Sequence, residues 1–383
     1  MTTFIGILIP LIIVIISSYI IWRGTDLFDG AASYLGRNLT EGIKGATINA
    51  IGSSMPEFLS TLIFLFYLDN SEGLSGGIGI TAGSAIFNLL VIPIAILFTL
   101  KMKKMSTDIL LDRYIIKRDG ISLLAINLLL IVILTKNAIH WYHGLILILS
   151  YFVYLAVIWK DLKRSRENGR TYVDEKEYQM ENESKRVDNA LALDLISVLK
   201  PSRATNKRNA IIYLFYTVLV VSVGTWLLVY AIEKMGSGSY SFMELNLRGI
   251  NLPTIFVSLI LGAAASSVPD TILSIKDAVK GNHKDAISNC IGSNIFDISF
   301  ALGLPILIYT LFKGDAILLS PMLKSLNVQL WLLLFVINLI TIVTIVIRGK
   351  IDYKVGRMMT AIYIMFIGYV IFVSITGHFD NFV

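Results

Sequence analysis

Apolar residues run through this chain in long unbroken stretches, not in the half-faced patterns of a water-soluble fold. Phe4 to Trp22 is almost wholly apolar. With no basic segment or small-residue cleavage site before its polar flank, it predicts a membrane-crossing helix and not a signal peptide. Further stretches lie near 40–68, 75–99, 119–135, 141–159, 209–232, 250–275, 285–312, 326–347 and 357–376. Each approaches or exceeds the ~20 residues that a helix needs to cross hydrocarbon. Ten spans follow, five on each side of a polar segment at 160–208.

Composition agrees with the pattern. Of 383 residues, 55% are hydrophobic and 16% charged, and mean hydropathy is +0.72. A soluble domain carries about 25% charged residues, and a disordered chain far less apolar material. One cysteine excludes a disulfide framework and a CxxC zinc site. The 160–208 segment opens with Lys160, Lys163, Arg164, Arg166 and Arg170 and closes with Lys200, Arg203, Lys207 and Arg208. Its middle mixes acids and bases without an apolar run, so it reads as a solvated linker with some helix; a regulatory domain is the alternative.

The net charge of +6 would suit a nucleic-acid binder, but the placement of the bases points elsewhere. With the N-terminus outside, 28 of the 33 Lys and Arg fall in inner loops and 5 in outer ones, the asymmetry that orients membrane proteins. Both termini are then outside and the linker is cytoplasmic.

Five spans per half means that a homologous second half sits upside down relative to the first. Residues 50–57 read AIGSSMPE and residues 263–270 read AAASSVPD; 83–88 read GSAIFN and 292–297 read GSNIFD. The spacing from the acid to the last polar residue is 31 in the first half and 27 in the second, an excess expected in an outer loop, Asp69 to Gly77. The predicted fold is an all-α polytopic membrane protein: ten transmembrane helices as two inverted five-helix repeats, with helices 2, 3, 7 and 8 broken. Residues 1–159 form the first repeat (motif 45–98), 160–208 the linker and 209–383 the second repeat (motif 258–309).

Proline removes a backbone donor and blocks the carbonyl one turn earlier, so Pro56 and Pro269 are expected to interrupt spans 2 and 7. Gly83 and Gly292 are expected to loosen spans 3 and 8. Broken backbone at membrane depth is tolerated where it is buried or lines a wet cavity. Freed carbonyls and the hydroxyls of Ser53, Ser54, Ser266 and Ser267 would make an oxygen-lined pocket, though such serines can also bond back to helix carbonyls. Glu57, Asp270 and Asp297 lie inside apolar spans, where an acid costs roughly 2.5–3.5 kcal/mol and marks a functional site. Asn88 occupies the position of Asp297 in the first half. Ser84 and Ser293, beside glycines, suit either ligation or close packing. A hard cation with six to eight oxygen ligands fits this set, and the lack of His or Cys in the motifs argues against zinc or copper. Elsewhere, Cys290 reads as a packing residue, His140 and His143 as part of an interfacial belt, and Asp277 as a solvated helix end.

The paired segments resemble the two alpha-repeats of the cation/calcium exchanger superfamily. Glu57, Asp270, the alanine of GSAIFN and Asp297 together resemble its potassium-dependent sodium/calcium exchanger branch. Asp270 departs from the glutamate more usual in both repeats. The resemblance implies a calcium site between spans 2, 3, 7 and 8, with Glu57 and Asp270 as principal ligands. Ser53, Ser54, Ser266 and Ser267 would flank it, with the carbonyls of Ala50 and Ala263 contributing. Ser84, Asn88, Ser293 and Asp297 would complete sodium or potassium positions. It also implies that spans 1 and 6 slide over the other helices. No prosthetic group is expected; Ca2+, Na+ and, in that branch, K+ are cargo. Expected partners are inorganic cations and membrane lipid, not nucleic acid, for a monomer or weak oligomer in the plasma membrane.

Two carboxylates ~6 Å apart repel by about 3 kcal/mol at an effective dielectric near 20. An empty site should therefore resist occlusion, whereas one divalent or several monovalent ions would permit it, which is antiport. Protons could neutralise the same acids, so proton-coupled exchange is the nearest rival. A channel with acidic rings fits the midplane breaks less well. An intramembrane hydrolase lacks a His or Lys in either motif to activate a nucleophile.

Overall fold

The computed structural model describes residues 2–35, 43, 45–167 and 207–376; most of the predicted linker, and any regulatory domain in it, lies outside the described residues. Among the described residues, the chain is all-helical apart from three two-stranded pairs. Its first half runs α1 (Thr2–Leu35), a π-helical turn Gly45–Asn49, α2 (Ala50–Ser53), α3 (Met55–Leu68), α4 (Asn70–Ile86), a second π turn Phe87–Val91, α5 (Ile92–Met102), β1 (Ile109–Leu110), α6 (Arg113–Leu134), β2 (Ala138–Ile139) and α7 (Trp141–Glu167). Its second half runs α8 (Lys207–Gly236), the hairpin β3 (Tyr240–Phe242) and β4 (Leu245–Leu247), α9 (Thr254–Val257), a π turn Ser258–Gly262, α10 (Ala263–Ser266), α11 (Val268–Val279), α12 (His283–Phe296), a π turn Asp297–Ala301, α13 (Leu302–Lys313), β5 (Ile317–Leu318), α14 (Pro321–Arg348), β6 (Lys350–Ile351) and α15 (Tyr353–Thr376).

Among the described residues, eight helices are long and apolar enough to cross a membrane, and the pair Ala46–Ser53 and Met55–Leu68, bent by 44°, would make a ninth. α6 falls short because Lys117, Arg118 and Asp119 occupy its early turns. The last two are matched internally. Arg118 forks onto Asp119 at 2.7 and 3.0 Å and reaches Asp161 of α7 at 3.0 Å. Large apolar side chains such as Phe4, Ile15, Phe215, Leu219, Ile364 and Phe372 are exposed, as lipid-facing positions would be.

The same order of elements recurs in both halves around the motifs. A π turn leads to one short helical turn, then to a single non-helical serine (Ser54 or Ser267), then to a helix with proline in its first turn. The missing proline N–H costs nothing there, because the first turn of a helix has no internal partner. Spans 3 and 8 differ from expectation: they are not broken but stay helical, each widened by a π turn. Their glycines serve close approach. A Cβ on Gly83 would lie 2.0 Å from the Leu259 carbonyl oxygen, and one on Gly292 would lie 2.8 Å from the Ala46 Cα. Each glycine of one half thus seats the π turn of the other.

The expected loop Asp69–Gly77 is also absent. Asp69 alone turns the chain, with φ 60, and residues from Asn70 onward are already helical. Its carboxylate accepts from the Tyr309 hydroxyl and from Lys313 at 3.3 Å. The spacing difference comes instead from longer helices in the first half. The strand pairs tie the halves together: β1 with β6 and β2 with β5, both antiparallel. α1 packs along α8, where a Cβ on Gly24 would meet Val221 and one on Gly224 would meet Ile21.

Candidate functional site

The motif residues converge where the two breaks meet α4 and α12. Glu57 enters from the first turn of α3 and Asp270 from the first turn of α11, each three residues past its serine break. Asp297 opens the π turn after α12, and Asn88 lies in the matching turn after α4. Glu57, Asp270, Asp297, Asn88, Ser54, Ser84, Ser266, Ser267 and Ser293 are fully buried, and Ser53 is 1% exposed.

The three carboxylates are treated differently. Asp270 is well served: Oδ1 accepts from Ser293 Oγ at 2.7 Å and Asn289 Nδ2 at 3.3 Å, and Oδ2 from Asn88 Nδ2 at 3.4 Å. Asp297 Oδ2 accepts from Ser84 Oγ at 3.2 Å, while its Oδ1 has no hydrogen-bond partner. Glu57 has none for either carboxyl oxygen. Ser54 Oγ and Asn88 Oδ1 are likewise buried and unpartnered. An unserved buried acceptor is costly; several in one site make a set of oxygens lacking positive charge. Among the described residues, no basic side chain bonds to any of the three acids.

The serines divide. Ser53 Oγ bonds back to the Asn49 carbonyl at 2.8 Å and Ser266 Oγ to that of Ala263 at 3.3 Å. Ser267 Oγ instead donates to Ser84 Oγ at 3.2 Å. The Ala50 carbonyl accepts from the Ser54 backbone N–H at 3.0 Å and from Ser53 Oγ at 3.5 Å, and the Ala263 carbonyl from the Ser267 N–H at 2.9 Å and Ser266 Oγ at 3.3 Å, so on each the longer hydroxyl bond is the one a further partner would displace. Among the described residues, no three His, Cys, Asp or Glu side chains form a metal-holding group by themselves. The arrangement is mixed: carboxyl, amide and hydroxyl oxygens.

An amide shell went unseen in the sequence. Asn289 bridges Asp270 to Ser274 Oγ at 3.1 Å. Asn294 accepts from Asn88 at 3.2 Å and donates to the Ala85 carbonyl at 3.0 Å. Asn49 donates to Asp277 at 3.0 Å. The usable signal was asparagine within apolar helices, one residue before AIGSSMPE and inside GSNIFD itself. Asp277 is 8% exposed, so its expected solvated state is corrected: the Asn49 amide holds it at the α2–α11 contact. Cys290 is buried, donating to the Ala286 carbonyl at 3.3 Å, as a packing residue should. His143 Nδ1 accepts from the backbone N–H of His140, and the His140 ring stacks on Tyr142.

A family profile described as sodium/calcium exchanger protein matches residues 9–160 and 209–372. The chain belongs to the sodium/calcium exchanger family. Human sodium/potassium/calcium exchanger 5 is 25% identical over 347 residues, covering 73% of this chain and 65% of that protein. Sodium/potassium/calcium exchanger 1 of Gallus gallus is 29% identical over 165 residues, covering 42% of this chain and 23% of that protein. This exchanger-family chain thus spans less than two-thirds of the length of these relatives, and it is the potassium-dependent branch that it resembles. Among solved structures, an H+/Ca2+ exchanger, CAX, matches with a TM-score of 0.67 at 15% identity, covering 94% of this chain and 82% of that one. The sodium-calcium exchanger NCX_Mj matches with a TM-score of 0.52 at 20% identity, covering 94% and 99%. These likenesses establish an exchanger fold in a multi-span membrane protein.

Proposed function

We propose that the chain is a secondary-active antiporter that exchanges Ca2+ for Na+, with K+ carried alongside Ca2+, by alternating access. The observation that carries this reading is the buried Glu57, both of whose carboxyl oxygens lack a partner, beside two further acids to which no basic side chain bonds among the described residues. Three carboxylates balance one divalent and one monovalent cation. Glu57 and Asp270 would hold Ca2+, with Ser54 and the Ala50 and Ala263 carbonyls as further oxygens. Asp297, with Ser84 and Asn88, would take the monovalent ion, and Ser53, Ser266, Ser267 and Ser293 would position the acids. Cation filling removes the charge that resists burial, so the loaded site can occlude and the empty one cannot.

The topology in this reading is ten spans in two inverted repeats, with α6 as the fourth and the bent α2–α3 as the second. Exchange of the halves turns the β1–β6 pair into the β5–β2 pair, which supports a two-fold relation. In this arrangement the termini are outside, 160–208 is cytoplasmic, and the membrane is the plasma membrane. Proton-coupled Ca2+ exchange is the second reading, because a proton also neutralises an unpartnered carboxylate. Uptake of 45Ca2+ into proteoliposomes separates them. Uptake driven by an outward Na+ gradient and stimulated by K+ supports the proposal; uptake driven only by a pH gradient replaces the counter-ion; uptake with no counter-ion refutes antiport.

A further inference from the structure

Beside the central site, α1, α2 and α11 line a cavity of about 20 Å3, room for one water or ion, to which none of the roles above assigns a ligand. Its wall carries three buried polar atoms without a hydrogen-bond partner: Trp22 Nε1, Thr25 Oγ1 and Asn49 Oδ1. Asn49 is 2% exposed and Thr25 4%. The Asn49 amide is oriented by its bond to the Asp277 carboxylate, which fixes Nδ2 as the donor and leaves Oδ1 as the unserved acceptor. Ser53 lines the same cavity and lies 3.5 Å from Ser293 Oγ in the central site, so the two spaces meet there. Asp26 and Lys276 also line the cavity and form an ion pair across it, from α1 to α11. Their side chains are 36% and 48% exposed, so the pair stands at the open edge of the cavity.

We propose that this cavity is a waiting site for an alkali cation, outside the central site, with Asp26, Thr25 Oγ1, Asn49 Oδ1 and Ser53 Oγ as its oxygens. One carboxylate among neutral oxygens suits a single positive charge. The Lys276 ammonium is a tethered competitor: an arriving cation takes its place on Asp26 at no change in the charge that carboxylate faces. The pair joins α1 to α11, so cation arrival at this face also releases α1 from α11. This inference rests on the antiporter reading above.

Vesicles sealed with the 160–208 face toward the bath, loaded with 45Ca2+, report bath-Na+ activation of efflux. An exposed ion pair contributes about 0.2–1 kcal/mol, so Lys276→Gln should lower the half-activating Na+ concentration by up to about fivefold. Asp26→Asn should raise it by a similar factor, and neither should change it in vesicles of opposite sidedness. Equal shifts on both faces, or none, overturn the proposal. A second measurement is independent of flux: Na+ or K+ titrated against tryptophan emission of the purified protein. The signal should be lost in Trp22→Phe and in Asn49→Ala, yet persist in Glu57→Gln, where the central site lacks a ligand. Loss of the signal in Glu57→Gln, or no signal in the unmodified protein, overturns the waiting site. Absence of Na+-driven flux with a persisting Trp22 signal instead refutes the antiporter reading alone.

Discussion

Gly83→Ala tests the contact that joins the two halves at the site. The added Cβ would lie 2.0 Å from the Leu259 carbonyl oxygen and 2.4 Å from the Ala263 Cβ. Contacts below 3.0 Å are essentially never seen, so α4 and the Ser258–Gly262 turn must part by the difference, at least 1.0 Å from the 2.0 Å contact. The obstacle is backbone, which cannot swing aside as a side-chain tip can. Overpacking of this kind costs about 1–3 kcal/mol. The same displacement carries the Asn88–Asp270 bond at 3.4 Å and the Ser84–Asp297 bond at 3.2 Å out of range, at roughly 1 kcal/mol or more each. A total near 3–5 kcal/mol should lower the apparent melting temperature in detergent by roughly 6–20 °C, taking about 2–4 °C per kcal/mol from large domains. Calcium flux should fall with it, because the moved bonds belong to the site. Gly368→Ala is the control: nothing lies within 4 Å of its added Cβ, and an exposed helix gains up to about 1 kcal/mol from such a change. Equal melting temperatures for Gly83→Ala and Gly368→Ala would refute the close-approach argument.

Other consequences are separately testable. Arg118→Met leaves the buried Asp119 carboxylate without its fork, at a cost of about 3–5 kcal/mol, so the yield of folded protein in size-exclusion chromatography should collapse, with partial rescue in Arg118→Met/Asp119→Leu. Asn294→Ala removes the link from Asn88 to the Ala85 carbonyl and should weaken cation affinity more than it lowers melting temperature. Asp352 lies outside the spans, where its partial burial pushes the carboxyl pKa up but the backbone N–H of Val355 and Lys354 and the Arg348 guanidinium more than offset this, so it falls below the usual range. A depressed pKa contributes stability that is present above the unfolded value and lost as pH falls through the folded one. Asp352→Ala should therefore lose about 1 kcal/mol at neutral pH and converge with the unmodified protein in strong acid, read by pH-resolved thermal melts.

Much of this was legible in the sequence because its cause is local. Apolar run length fixes spans, and a proline after paired serines fixes a helix break at the same place in each half. Glu57 and Asp270 stood out because an acid in an apolar run has few explanations. What was hidden depends on partners distant along the chain. Gly83 and Gly292 read as loosening their own helices, yet they admit the backbone of the opposite half. Asp277 reads as a charged helix end beside lysines, but Asn49, 228 positions away, buries it. The excess between Glu57 and Asn88 reads as a loop, whereas Asp69 turns the chain alone. The π turns carry no marker in the sequence apart from the polar residues that they present.

The central claim is that Glu57 is an acid kept for a cation. Equilibrium 45Ca2+ binding to purified protein, paired with the melting temperature of the ion-free form, tests it in one comparison of Glu57→Gln with Asp270→Asn. Glu57→Gln should abolish Ca2+ binding while leaving the ion-free protein as stable as before or more so, because no donor loses a partner. Asp270→Asn should lose both binding and stability, because Ser293, Asn289 and Asn88 all donate to that carboxylate. Undiminished Ca2+ binding in Glu57→Gln would contradict the account.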